Sequence, residues 1–281
     1  MKPMPAPASE SLDVDAPHLA YEGRTPYVEY TEADVLRELI HVNTDEPLEV
    51  TFVVATQIME LHFALLKHEW TLAIAALDAD DVRTAVASLS RSMRVQESLI
   101  GSWSILGEMS PVQYNRFRDA LGHASGFQSF GYRELEFLLG VKDERMLRPH
   151  VQMPRAATEL ERIFAGPSLY EAAVATLARR GYAVPPAVLA RDHREPWTEA
   201  EPEVVQAWRT VYADDGELAE LAEALVGVAE RHSRWRFVHY TAVYRILGAK
   251  PGTAGSAGLT WLKRAVDQMV FIDLWAVRGV L

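Results

Sequence analysis

Two long stretches of this chain repeat their apolar residues at the spacing of one helix face, and no stretch alternates with the period of a strand. From Leu48 to about Leu77, the residues Phe52, Thr56, Met59, Phe63 and Leu66 fall on one mostly apolar face. From Glu217 to Leu247 the stripe is Leu218, Leu221, Leu225, Val228, His232, Trp235, His239, Val243 and Ile246, and Gly248 ends it. Stripes of this kind are buried by packing against other elements. Without period-two runs or an internal repeat, the expected fold class is all-α, a helical bundle.

The punctuation between the stripes agrees. Thr44-Asp45-Glu46-Pro47 has helix-start chemistry, Asp78 to Asp81 breaks the first long helix, and a second is expected over Val82 to Leu106. Ser110-Pro111 opens another through Arg118 and Leu121, because proline suits a first helical turn. Gly122 to Gly126 reads as a loop, and Tyr132 to Leu139 as a helix closed by Gly140. Glu32 to Ile40 is a short helical pattern, and Thr260 to Val277 is expected to form one final amphipathic helix. Residues 151–204, with Pro185, Pro186 and Pro196, read as short helices of a peripheral cap. Residues 1–20 are expected to be a disordered leader and 21–281 a single helical domain.

Composition narrows the function classes. With 281 residues, 49% of them hydrophobic, the chain can bury a large core. Its longest apolar runs, Phe52 to Ala55 and Leu61 to Leu66, are short and interrupted, so no membrane span is expected, and the leader lacks the pattern of a secretory signal. A net charge of −11 argues against a nucleic-acid partner, which needs clustered cations. The chain has no cysteine, which suits a reducing, cytoplasmic location and removes thiolates as metal ligands.

Read singly, the candidate chemical groups stay ambiguous. His239 lies on the apolar stripe, where a lone imidazole is more often a core residue than a ligand. Tyr114 and Arg118 stand at i and i+4, so they could grip one carboxylate or form a solvated pair. The glycine-rich Lys250 to Gly258 could bring backbone N–H groups to an anion or be a surface loop.

Taken together, four segments resemble the tryptophan 2,3-dioxygenase family, in its order and spacing. Tyr114-Asn-Arg-Phe-Arg118, Leu121-Gly-His-Ala-Ser-Gly-Phe-Gln-Ser129 and Tyr132-Arg-Glu-Leu-Glu-Phe-Leu-Leu-Gly140 form the most specific segment. Arg234-Trp-Arg-Phe-Val-His239 through Gly252-Thr-Ala-Gly-Ser256 is similar to the family's proximal-histidine helix and glycine loop. Phe52-Val-Val-Ala-Thr-Gln-Ile-Met-Glu-Leu61 resembles its distal helix, and Tyr27-Val-Glu-Tyr30 its N-terminal tyrosine pair. The resemblance covers about residues 25–150 and 205–278.

The resemblance implies a pocket for haem b with His239 as the axial iron ligand and Trp103 beside the macrocycle. Without cysteine, covalent thioether attachment and thiolate ligation are closed to such a haem. It further implies O2 and an aromatic amino acid as substrates, the indole lying against Phe52, the carboxylate held by Tyr114 and Arg118, the amino end assisted by Thr253, and Ser125 and Gly126 completing the pocket. Tyr27 and Tyr30 would reach a neighbouring subunit's site, so a homotetramer or homodimer is expected. One departure stands out: Thr56 occupies the position of the family's distal histidine, and His62 that of a tryptophan. The resulting expectation is insertion of one or two oxygen atoms at the indole C2–C3 bond of L-tryptophan or a 3-methyl tryptophan, the latter as in antibiotic-biosynthesis monooxygenases. Alternatives are a haem-dependent tyrosine hydroxylase and a non-catalytic haem-binding protein. His62, roughly 240° around the helix from Thr56, is expected to point away from the iron, and His68 to be structural.

Overall fold

The structure is a computed structural model that describes residues 19–248, 250 and 258–281. Among the described residues there are thirteen α-helices and no strand. The chain divides after His41 into a short N-terminal unit and a main unit. The N-terminal unit holds α1 (Pro26–Thr31) and α2 (Ala33–Glu38), neither of which has a buried residue.

Three helices build the main unit: α3 (Pro47–Asp78), α4 (Val82–Gly107) and, after the intervening elements, α11 (Glu217–Leu247). α4 is the centre, packed along α3 on one side and α11 on the other. The α3–α4 turn needs a left-handed residue, Asp80 at φ 61°, and Asp81 caps α4 by accepting from Thr84 N at 3.0 Å. Small polar residues let the helices approach and supply their own hydrogen bonds. Trp70 Nε1 donates to Ser92 Oγ at 3.0 Å, and Gln96 Nε2 donates to the carbonyl of Val228 at 3.0 Å, which fixes α4 against α11. Trp70, Leu77, Leu89, Leu221, Leu225 and Val228 are fully buried between them, each worth about 1.5–3 kcal/mol relative to exposure.

The shorter elements follow in order: α5 (Pro111–Phe117), a 3-10 turn (Arg118–Leu121), α6 (Phe130–Leu138), α7 (Pro154–Ala165), α8 (Leu169–Arg179), α9 (Pro186–Leu189) and α10 (Pro202–Asp214). Capping boxes start α5 at Ser110 and α8 at Ser168. The segment read from sequence as a cap sends Leu160, Phe164, Leu169 and Leu177 into the same core as α3 and α4. Lys142 closes α7 from below: its ammonium, on a 5% exposed residue, donates to the carbonyls of Ile163, Phe164 and Gly166 at 2.9 Å each. Changing Lys142 to Met leaves those carbonyls without a donor, so a loss of about 2–4 kcal/mol is expected in urea unfolding. An unchanged midpoint would show that water replaces the ammonium at no cost.

One expectation is corrected. The final segment is two helices, α12 (Leu259–Asp267) and α13 (Ile272–Ala276), and Phe271 between them is left-handed at φ 57°. The break has a distant cause: Arg236 Nη1 from α11 takes the carbonyls of Ala265 and Gln268 at 2.9 and 3.0 Å, and the chain then turns Val270 and Phe271 into the core. By length and composition α3 is apolar enough to cross a membrane. In the fold it is a bundle wall, packed on α4, α6 and α8, with Glu49 and Glu69 buried along it.

Candidate active site

One cavity of about 250 Å³ opens between α3, α4, α5, the turns of residues 121–129, α6, α11 and α12. Its walls come from residues far apart in sequence. α3 contributes Phe52 and Thr56, α4 Trp103, α5 Tyr114, the turns Ser125 and Gly126, and α11 His239. These seven sequence-derived candidates share one cavity. Arg118 stands beside it on the turn after α5, where its guanidinium donates to the Tyr114 hydroxyl. Burial pushes the Tyr114 phenol up, so it stays protonated at neutral pH. Tyr27 and Tyr30 are on α1, 71% and 83% exposed. Thr253 lies outside the described residues, but Lys250 and Gly258 on either side of its segment both line the cavity.

The apolar side of the cavity is a run of packed rings. Phe52 sits 6.0 Å from Tyr114 and 5.6 Å from Phe117, centroid to centroid. Trp103 stacks on His239 at 4.3 Å and 14°, and Trp235, one turn before His239, approaches it at 5.3 Å. Burial alone pushes the His239 imidazole down to about 4, so its ring is neutral and keeps a lone pair for a ligand. On α3 the Thr56 hydroxyl donates to the carbonyl of Phe52 at 2.8 Å. Its single proton is engaged there, which leaves its oxygen to the cavity as an acceptor. His62 does not line the cavity; its Nε2 meets Ser98 Oγ at 3.0 Å between α3 and α4.

A family model for tryptophan 2,3-dioxygenase matches residues 12–281. The chain belongs to this family. A tryptophan 2,3-dioxygenase of Bradyrhizobium sp. strain BTAi1 is 42% identical over 261 residues, 92% of this chain and 93% of the relative. Those of Exiguobacterium sibiricum and Bordetella pertussis are 39% identical over 91% of the chain and 36% identical over 99%, covering 92% and 99% of the relatives. The chain is therefore a haem-dependent aromatic amino-acid oxygenase, and the family's cofactor is haem b.

The residues present fit that group. Among the described residues no three His, Asp or Glu gather to hold a metal ion by themselves. A macrocycle that brings its own four nitrogens needs one neutral donor from the protein, and His239 offers one inside an apolar, aromatic wall. The indole nitrogens of Trp103 and Trp235 are buried near it without hydrogen-bond partners, donors that a bound group could engage.

The cavity also holds residues that sequence reading assigned no role: Glu60, Phe63, Tyr132, Arg133, Trp235 and Arg236. Periodicity could have found two of them. Glu60 follows Thr56 by one turn and Trp235 precedes His239 by one turn, so each shares a face with a named candidate.

Proposed function

We propose that this chain is a tryptophan dioxygenase that cleaves the indole C2–C3 bond of L-tryptophan with O2. The observation that carries the reading is the juxtaposition at one cavity of a neutral, half-buried imidazole, an aromatic slot and a polar clamp. His239 would hold the haem, which when bound would supply a reduced iron for dioxygen chemistry. The chain's own residues orient the amino acid and exclude water. Phe52 gives the indole a flat apolar wall, while Arg118 and Tyr114 donate to its carboxylate, with Ser125 and Gly126 at the edge. Thr253 would secure the amino end.

Thr56 sets the protonation chemistry on the substrate side. A hydroxyl bound to the Phe52 carbonyl is neither an acid nor a base near neutral pH, so the indole N–H keeps its proton while the ring is attacked. The same residue favours a second reading, transfer of one oxygen atom to a 3-methyl tryptophan, because that outcome also needs no distal base.

The clamp is tested by Arg118→Met. Removal of one charge-assisted pair should raise KM for tryptophan by about 10–100-fold with haem content unchanged. An unchanged KM would remove Arg118 from the substrate site. A second copy of the chain would complete the assembly: α3 leaves Leu61, Leu65 and Leu72 exposed, and Tyr27 and Tyr30 are free to enter a neighbour's pocket. Light scattering should show a dimer or tetramer; a monomer would contradict the tyrosine assignment.

A further inference from the structure

Among the described residues that line the cavity, Glu60 is the one acid. It stands one turn past Thr56 on α3 and eight residues past Phe52, about 12 Å of helix rise. Phe52 packs against Tyr114, so the carboxylate clamp lies at the other end of this wall. Glu60 is too far along α3 to take the ammonium of an amino acid held there.

The Glu60 carboxyl is committed to the start of α6. Burial pushes it up from the ordinary carboxylate range, and the Ser129 hydroxyl that donates to it offsets part of that rise. The first turn of α6 is bare where the carboxyl packs: a β-carbon on Gly131 would stand 2.7 Å from Glu60 Oε2 and 3.4 Å from Phe63 Cβ. Three pieces of chain meet at Ser129. Its oxygen caps α6 by accepting from Tyr132 N at 3.0 Å, and its own N–H donates to the carbonyl of Gly126 at 3.1 Å. Gly126 belongs to a turn braced from within, where Ser125 Oγ accepts from Phe127 N at 3.3 Å and Ser125 N donates to Gln128 Oε1 at 3.2 Å. Phe127 also meets Trp261 of α12 at 5.6 Å between centroids, an apolar contact that sets direction less strictly than a hydrogen bond. The bond from Ser129 to Glu60 therefore ties the end of this turn to α3.

We propose that Glu60 is a positioning residue for the substrate: through Ser129 it fixes the turn of Ser125 and Gly126 at the distance from α3 at which that turn closes on the amino acid. The proposal rests on the substrate-site reading of this cavity. A carboxylate suits the task, because the Ser129 oxygen is already occupied in capping α6 and its O–H is left to seek a strong acceptor outside that helix. Loss of the bond loosens the turn and removes none of the groups assigned to hold tryptophan.

The test is calorimetric titration of the haem-loaded, full-length protein with L-tryptophan. Glu60→Gln keeps an acceptor of the same reach and should bind as the unmodified protein does. Glu60→Asp keeps the charge but falls one methylene short of Ser129, and Glu60→Leu keeps the bulk without the acceptor. Each of these two should raise Kd about tenfold, the worth of one hydrogen bond to a charged group. KM should rise by the same factor with kcat unchanged, since no reacting group is altered. Haem content and the urea midpoint should hold. Equal Kd for the unmodified, Asp and Leu proteins would overturn the proposal and leave the substrate reading standing. A Gln protein as weak as the Leu protein would also overturn it, since charge and not the Ser129 bond would then matter. So would a fall in haem content or urea midpoint of the Asp protein, which would make Glu60 a prop of the cofactor pocket or of the fold. An unmodified protein that binds no tryptophan would overturn the substrate reading and the proposal with it.

Discussion

Replacing His239 with alanine is expected to abolish stoichiometric haem binding, with loss of the Soret band of the reconstituted protein. The reason is ligand supply. The cavity wall near His239 is made of Trp103, Trp235, Val243 and Ile246, and none of these can take its place at an iron. His232 is an internal control, because it stands two turns earlier on the same stripe of α11. It is buried and pushed well toward neutral by burial and by Arg236, but it does not line the cavity. His232→Gln should therefore keep full haem content. A His239→Ala protein with an unchanged Soret band, or a His232→Gln protein without one, would move the ligand assignment off His239.

The largest expected change in stability is at Arg236. Its guanidinium joins α6 through Tyr132 and Glu136 and the end of α12 through Ala265 and Gln268, all from a residue almost excluded from solvent. Arg236→Met takes one of two guanidiniums from the buried Glu136 carboxylate and strands two carbonyls, so unfolding in urea should show a loss of about 3–5 kcal/mol. Lysine should not rescue it, because one ammonium cannot span acceptors on both sides. A shift under about 1 kcal/mol would mean the network is solvated and contributes little.

These two residues also mark where the sequence was legible. α3, α4 and α11 were readable because their stripes are long and their ends are punctuated by Pro47, by Asp78 to Asp81 and by Gly248. Periodicity reports burial that is continuous along one face. The break between α12 and α13 has no such signal: its cause is Arg236, on another helix, drawing the carbonyls out of line. Lys142, Arg133 and Glu136 were unreadable for the same reason. A buried charge looks like a surface charge in a sequence, and Arg133 and Glu136 at i and i+3 have the spacing of an ordinary exposed pair. The cavity's inventory was partly visible, since Phe52, Tyr114 and His239 lie within segments that resemble one family. Their convergence is a long-range property of how α3 and α11 flank α4.

The difference at Thr56 bears on outcome more than on fold. Its hydroxyl is tied to the Phe52 carbonyl, and among the described residues that line the cavity His239 is the one imidazole. Attack on an electron-rich indole does not require a second one. The measurement that tests this most directly is the mass spectrum of the product formed when the reduced, haem-loaded protein turns over L-tryptophan under labelled O2. The account predicts a ring-opened product carrying both labelled oxygen atoms. A product with one labelled atom, or tryptophan recovered unchanged while tyrosine is hydroxylated, would contradict it.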